Sequence, residues 1–222
     1  MLTSTTEHRV LLFDLDGTLS DPRPGIVRCM RYALQGVGAA SPSDDVLASF
    51  IGPSLRQTFG TLLRTTDRQL VEQVLALYRE EYGDRGLFEN QLYDGILRML
   101  DDVRLTASAV FVATLKPKPY ADRIVRHLGL DPYFAGVYGA ELEGRFDDKV
   151  ELLDHLLATE KIEAERAVMI GDRAVDIAAA RAHGARSVGV LWGYGSEAEL
   201  ADAGADRLCA TPGELAACLT RP

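Results

Sequence analysis

The stretch VLLFDLDGTLSD, Val10 to Asp21, decides how the rest of the chain is read. Four apolar residues run straight into Asp14-Leu15-Asp16-Gly17-Thr18. In a strand, residues i and i+2 point the same way, so Asp14 and Asp16 share a face. Two carboxylates set together repel, and burial makes their charged forms costlier still unless something compensates. A cation compensates them, and so does a proton retained for chemistry.

Outward from this stretch, short apolar runs recur, and helical patterns separate the later ones. The runs are Val10–Phe13, Ala109–Thr114, Gly136–Ala140, Arg166–Asp172 and Arg186–Gly193, with a sixth near Arg207–Cys209. Amphipathic stretches at Tyr120–Leu128, Asp148–Leu157 and Val175–His183 lie between the later runs. Unalternating apolar runs separated by helices predict an α/β fold, a doubly wound, Rossmann-like parallel sheet covered on both faces. In such sheets ligands sit beyond the carboxyl ends of the strands.

The first two runs are separated by far more chain than one crossover helix needs. The segment Pro22–Glu89 reads as all-helical. GIVRCMRYALQGVG forms one helix, SDDVLASF opens another behind Ser43, LRQTFGTLL follows, and TDRQLVEQVLALYREEY starts at Asp67. The expected organisation is a core of residues 1–20 and 90–222 with a helical cap, 21–89, inserted after the first strand.

The strand ends carry chemistry. Asp14 and Asp16 end the first run, Thr114 the second, and Gly171-Asp172 the fourth; Asp176 follows one helical turn after Asp172, and Lys149 opens the helix after the third. Several carboxylates converging on one point call for a hard, oxygen-preferring cation such as Mg²⁺. A metal, a lysine and a hydroxyl then make a pocket for a phosphoryl group. One carboxylate is left to attack phosphorus, and another two residues on protonates the leaving oxygen. Lys116, close to Thr114, competes with Lys149 for the lysine role, and Lys149 is preferred for its position.

DLDGT, the strand ending in Thr114, Lys149 and GDRAVD together resemble the four motifs of haloacid dehalogenase-like hydrolases. FIGPSLRQTF and VATLKP are similar to the phosphoglycolate phosphatase-like branch, which carries an inserted helical cap. The resemblance implies that Asp14 is the nucleophile and a metal ligand. It implies that Asp16 is the general acid/base and gives its backbone carbonyl to Mg²⁺. Thr114 and Lys149 would hold phosphate, and Asp172 and Asp176 would hold metal. An acid at Asp16 fits a phosphatase or phosphomutase; the family's dehalogenases lack it. One departure is Leu115, where relatives carry Ser or Asn.

The expected activity is therefore Mg²⁺-dependent hydrolysis of a small phosphomonoester, phosphoglycolate-like, nucleotide or sugar phosphate, through an aspartyl-phosphate. A sugar phosphomutase and a catalytically silent phosphate-binding module are the alternatives. Arg56 is the candidate cap contact to substrate, since arginine clamps anions bidentately. Phe50, Phe59 and Tyr82 are candidates either for an apolar face that stacks on a nucleotide or for core positions.

The chain has 222 residues, is 47% hydrophobic and carries a net charge of −9. That length suits one domain with a large insertion, and the charge argues against a nucleic-acid partner. Cys29, Cys209 and Cys218 match neither a disulfide framework nor a zinc site. With no apolar run of membrane-spanning length and no signal-type N-terminus, a cytoplasmic protein is expected. His8, His127, His155 and His183 lack metal or triad spacing, and Trp192 reads as a packing residue. Monomer and homodimer both remain open.

Overall fold

The computed structural model describes residues 9–220. Six parallel strands form the main sheet: β1 (Val10–Phe13), β4 (Ala109–Pro117), β5 (Gly136–Ala140), β6 (Ala167–Gly171), β7 (Arg186–Val190) and β8 (Arg207–Cys209). Their spatial order is β5-β4-β1-β6-β7-β8. The chain winds outward from β1 first one way and then the other, so the order reverses at β1. That reversal opens a crevice at the carboxyl end of β1, where Asp14 stands.

Both faces of the sheet are buried, which is why the runs read as continuous rather than alternating. Leu11 and Phe13 point to one face with Val112 and Ile170, and Val10 and Leu12 to the other with Phe111 and Met169. The second face is covered by α7 (Lys149–Glu160) and α8 (Ala174–His183), through Leu153, Leu156 and Ala180. The first is covered by α5 (Ile96–Val103), α6 (Lys118–His127) and α10 (Pro212–Thr220), through Leu100, Ile124 and Leu215. Each such leucine or isoleucine removed from water contributes about 1.5–3 kcal/mol. Helix α9 (Glu197–Ala203) lies between β7 and β8 in the chain.

A two-residue strand, β2 (Ser20–Asp21), pairs antiparallel with β3 (Gln91–Leu92). Between them run α1 (Arg23–Gly36), α2 (Asp44–Ala48), α3 (Leu55–Leu62) and α4 (Arg68–Asp84). Ser54 caps α3 by accepting from the Gln57 N–H, and Asp67 caps α4 by accepting from Gln69. Such a cap is worth about 1 kcal/mol. Ser43 occupies the cap position of α2 without a side-chain bond. Met30, Phe59, Tyr78 and Tyr82 from these helices join the same apolar cluster as the first sheet face.

Strand β4 runs to Pro117, beyond the apolar run that predicts it, with a register shift against β5 between Thr114 and Pro117. The short β2–β3 pair and helices α5, α9 and α10 do not figure in the pattern of apolar runs. No helix among the described residues is long and apolar enough to cross a membrane. The three cysteines are free thiols.

Candidate active site

Asp14 leaves β1 with its N–H donating to the Ile170 carbonyl of β6 at 2.8 Å. The chain then turns sharply: Gly17 has φ +88°, and Leu19 and Ser20 donate back to the Leu15 carbonyl. A Cβ at Gly17 would also collide with the Asp172 carboxylate, so only glycine serves on both counts. Thr18 Oγ1 donates to Asp172 Oδ1 at 3.3 Å, and the Tyr194 N–H donates to Oδ2 at 2.8 Å. Trp192 Nε1 donates to the Thr18 carbonyl at 2.9 Å. The loops after β1, β6 and β7 thus hold one another around a single carboxylate.

Asp14, Asp172 and Asp176 offer carboxylate oxygens that lie within 4.8 Å of one another, all buried. Burial pushes the Asp172 carboxyl well above the usual range, and the Asp14 and Asp176 charges add to it. Asp176 is pushed up to about 6, again chiefly by burial, against the lowering pull of Lys149. Lys149 Nζ lies 2.7 Å from Asp14 Oδ1 and 2.7 Å from Asp176 Oδ1. Burial lowers the Lys149 pKa, but the two carboxylates outweigh it and raise it overall.

Lys149 sits in the first turn of α7, where the helix dipole disfavours a cation. Asp148 secures that start by accepting from the N–H groups of Val150 and Glu151. The two carboxylates in front of Lys149 offset the dipole. Asp16 faces a different cation: Lys116 Nζ lies 2.6 Å from its Oδ2 and 4.7 Å from the Tyr82 ring centroid. Asp16 Oδ1 is buried without a partner, and burial raises the Asp16 pKa against the pull of Lys116.

An all-carboxylate, oxygen-only group in which burial penalises the charged forms of Asp172 and Asp176 suits a hard divalent cation. The residues present therefore fit Mg²⁺, and Asp14, Asp172 and Asp176 could hold it.

The structure brings Asp14, Asp16, Thr114, Lys149, Asp172 and Asp176 together at the carboxyl ends of β1, β4 and β6 and the starts of α7 and α8. Thr114 is buried, and its Oγ1 accepts from the Lys116 N–H at 3.2 Å. Asp14, Asp16, Thr114, Leu115 and Lys116 open into a pocket whose far wall is Ile26, Met30, Phe50, Leu75, Tyr78 and Arg79. Arg56 lines this pocket with its guanidinium engaged: Nε to Glu72, Nη1 to Asp147, both at 2.7 Å, and Nη2 to the Leu142 carbonyl at 2.9 Å.

Of the candidate apolar faces, Phe50 lines the pocket, whereas Phe59 and Tyr82 are fully buried core. His127 packs on Phe88, His155 stacks on Phe146, and His183 bonds the Ala179 carbonyl. His8 lies outside the described residues. Sequence reasoning assigns no role to Thr18, Tyr194 or Arg79, and reads Trp192 as a packing residue without support for a substrate role. DLDGT names Thr18 as a motif member and Tyr194 directly follows the fifth apolar run, but nothing in the sequence places Arg79 at this end of the sheet.

The profile of the haloacid dehalogenase-like hydrolase family matches residues 11–190. A 5'-nucleotidase of Pseudomonas aeruginosa is 42% identical over 190 residues, covering 86% of each chain. A tyrosine-protein kinase, PtkA, of Mycobacterium tuberculosis is 40% identical over 187 residues, which are 84% of this chain and 63% of that one. The crystal structure of a predicted phosphatase from Clostridium acetobutylicum superposes with a TM-score of 0.92 at 32% identity, covering 96% of this chain and 98% of that one. The chain belongs to the haloacid dehalogenase-like hydrolases, in their phosphoglycolate phosphatase-like branch, and is an enzyme of the phosphatase kind.

Proposed function

We propose that the chain is a Mg²⁺-dependent phosphomonoester hydrolase working through an aspartyl-phosphate on Asp14. The observation that carries this reading is the separation of two neighbouring acids by their partners. Asp14 is held by Lys149, while Asp16 pairs with Lys116 and is pushed up by burial. Acids whose environments differ in this way suit different roles.

Asp14 Oδ1 is held on Lys149, so Oδ2 is the oxygen left to attack phosphorus. The ester oxygen leaves and takes the proton held by Asp16. The Asp16 carboxylate then accepts a proton from water, whose oxygen attacks phosphorus and releases phosphate and Asp14. Thr114 donates its hydroxyl to a phosphoryl oxygen, and Lys149 balances charge on the side of Asp14. Mg²⁺ held by Asp14, Asp172 and Asp176, with the Asp16 carbonyl, would neutralise the phosphoryl and carboxylate charges. We take 21–89 as a cap that excludes bulk water, and the free thiols support a cytoplasmic setting.

Among phosphoglycolate-like, nucleotide and sugar esters, a nucleoside 5'-monophosphate is favoured. The nucleotidase-named relative and the apolar wall of Met30, Phe50, Leu75 and Tyr78 both support it.

The test is inorganic phosphate release from such esters, with and without Mg²⁺, beside Asp14→Asn. Steady metal-dependent release by the native protein, absent in the variant, is expected. A requirement for an activating sugar bisphosphate would move the reading to a mutase. Metal binding without any release would move it to a silent module.

A further inference from the structure

Three cations line the pocket, and two are already neutralised. Lys116 is paired with Asp16, and Arg56 with Glu72 and Asp147. Arg79, on α4, is the third, and among the described residues no carboxylate forms an ion pair with it. Its Nη2 donates to the Leu142 carbonyl at 2.6 Å, while its Nε is buried without a partner. A guanidinium is always charged and presents its donors in a rigid fork. A buried donor of such a group left unmet is costly unless something else supplies the acceptor. Ile26, Met30 and Leu75 of the surrounding wall are apolar and supply none.

The same helix fixes the side of the pocket that Arg79 occupies. Lys116, which holds Asp16, packs its ammonium on the ring of Tyr82. Tyr82 follows Arg79 by three positions on α4, and residues so spaced are neighbours on a helix surface. Asp16 is the acid that serves the ester oxygen of the leaving group. Arg79 therefore stands on the leaving-group side, one helical turn from the residue that packs on the partner of Asp16.

We propose that Arg79 is a specificity-determining residue, donating to an acceptor oxygen on the alcohol half of the substrate beyond the ester. The inference rests on the phosphomonoesterase reading and deepens it. A carbonyl oxygen of a nucleobase and a carboxylate oxygen of a short acid share this chemistry, and the fork can donate to either. Leu142 holds the fork in place, so the side chain is preorganised and little rotamer freedom is lost on binding.

Binding is the readout, because it needs no turnover. Calorimetric titrations use Asp14→Asn protein with uridine 5'-monophosphate, phosphoglycolate and phenyl phosphate, the last carrying no acceptor beyond the ester. At least one acceptor-bearing ester is expected to bind more tightly than phenyl phosphate. Adding Arg79→Met should weaken that ester about tenfold or more, as loss of a charge-assisted bond does, and phenyl phosphate by less than about threefold. Arg79→Lys, which keeps the charge and loses the fork, should fall between. Which ester responds tells carbonyl from carboxylate. Equal weakening of all three, or no preference over phenyl phosphate before substitution, overturns the assignment and leaves Arg79 a strut to Leu142. Phosphate release by the native protein is scored separately, so the reaction and the assignment fail independently.

Discussion

Lys149 Nζ and Asp14 Oδ1 stand 2.7 Å apart, with side chains only 3% and 6% exposed. Chain positions 135 residues apart are joined there because β1 lies inside the sheet and α7 starts beside its carboxyl end. Removing one member of a buried pair leaves the other charge uncompensated, at a cost of about 3–5 kcal/mol. Lys149→Met strands Asp14 and Asp176 together. It should lose at least about 2 kcal/mol of stability without metal, recover part of it with Mg²⁺, and lose activity by about a hundredfold or more. Chemical denaturation with and without Mg²⁺ checks the first two outcomes, and phosphate release the third. A variant as stable as the parent without metal would show that the pair does not hold the site together.

Asp16 and Lys116 give a prediction about steps rather than totals. In the mechanism we propose, Asp16→Asn keeps the shape but neither donates the proton to the ester oxygen nor takes one from water. With p-nitrophenyl phosphate, whose leaving group needs little protonation, the first step should persist while the second stalls. Rapid mixing should show a burst of about one nitrophenolate per protein followed by a slow phase, the mark of an accumulating covalent intermediate. Equal slowing of both phases would separate Asp16 from the hydrolytic step.

Arg56 and Gly144 test the contact between α3 and the loop after β5. Gly144 has φ +101°, and a Cβ there would stand 2.7 Å from Arg56 Nη1. Gly144→Ala therefore combines backbone strain with displacement of the guanidinium, each worth about 1–2 kcal/mol. Arg56→Ala removes bonds to Glu72, Asp147 and Leu142. Both should lower the Tm, and the double variant should lose less than the sum, because the displaced group is already gone. Additive losses would mean that the two residues act apart.

Much of this architecture is legible in the chain. The apolar runs locate six strands because a parallel sheet buried on both faces leaves no alternation to confuse them. The acids at 14, 16, 172 and 176 are legible because they follow those runs directly. The pairing of Lys116 with Asp16 is not, since it depends on how β4 continues past Thr114 to Pro117. Arg56 reads as a free cation because Asp147, 91 positions away, shows no link to it in sequence. Arg79 looks like any helix arginine until Leu142 and the unmet Nε are seen in space. The β2–β3 pair is too short to leave a periodic trace.

The last prediction concerns metal and pH together. Asp176 is pushed up to about 6 and Asp172 well above the carboxylate range, both first by burial. For an acid raised in the folded state, the native protein binds more protons than the unfolded chain above the ordinary pKa. Its contribution to stability is fully present below that ordinary value and is lost as pH rises through the folded value. For Asp176 that window runs from about 4 to about 6. A metal held by these acids would have to displace these protons, so Mg²⁺ would bind the deprotonated site and its stabilisation would grow where the protons are already gone. At a free concentration of about 100 times its Kd, a metal bound only to the folded state adds about 2.7 kcal/mol. At one fixed Mg²⁺ concentration, the rise in Tm should therefore be larger at pH 7.5 than at pH 5. Titration near pH 6 should release protons on binding, seen as a binding heat that changes with the ionisation enthalpy of the buffer. In Asp176→Asn both the proton release and the pH dependence of the Tm rise should shrink. Equal Tm shifts at the two pH values in the native protein would mean that the ion does not compete with these carboxyl protons.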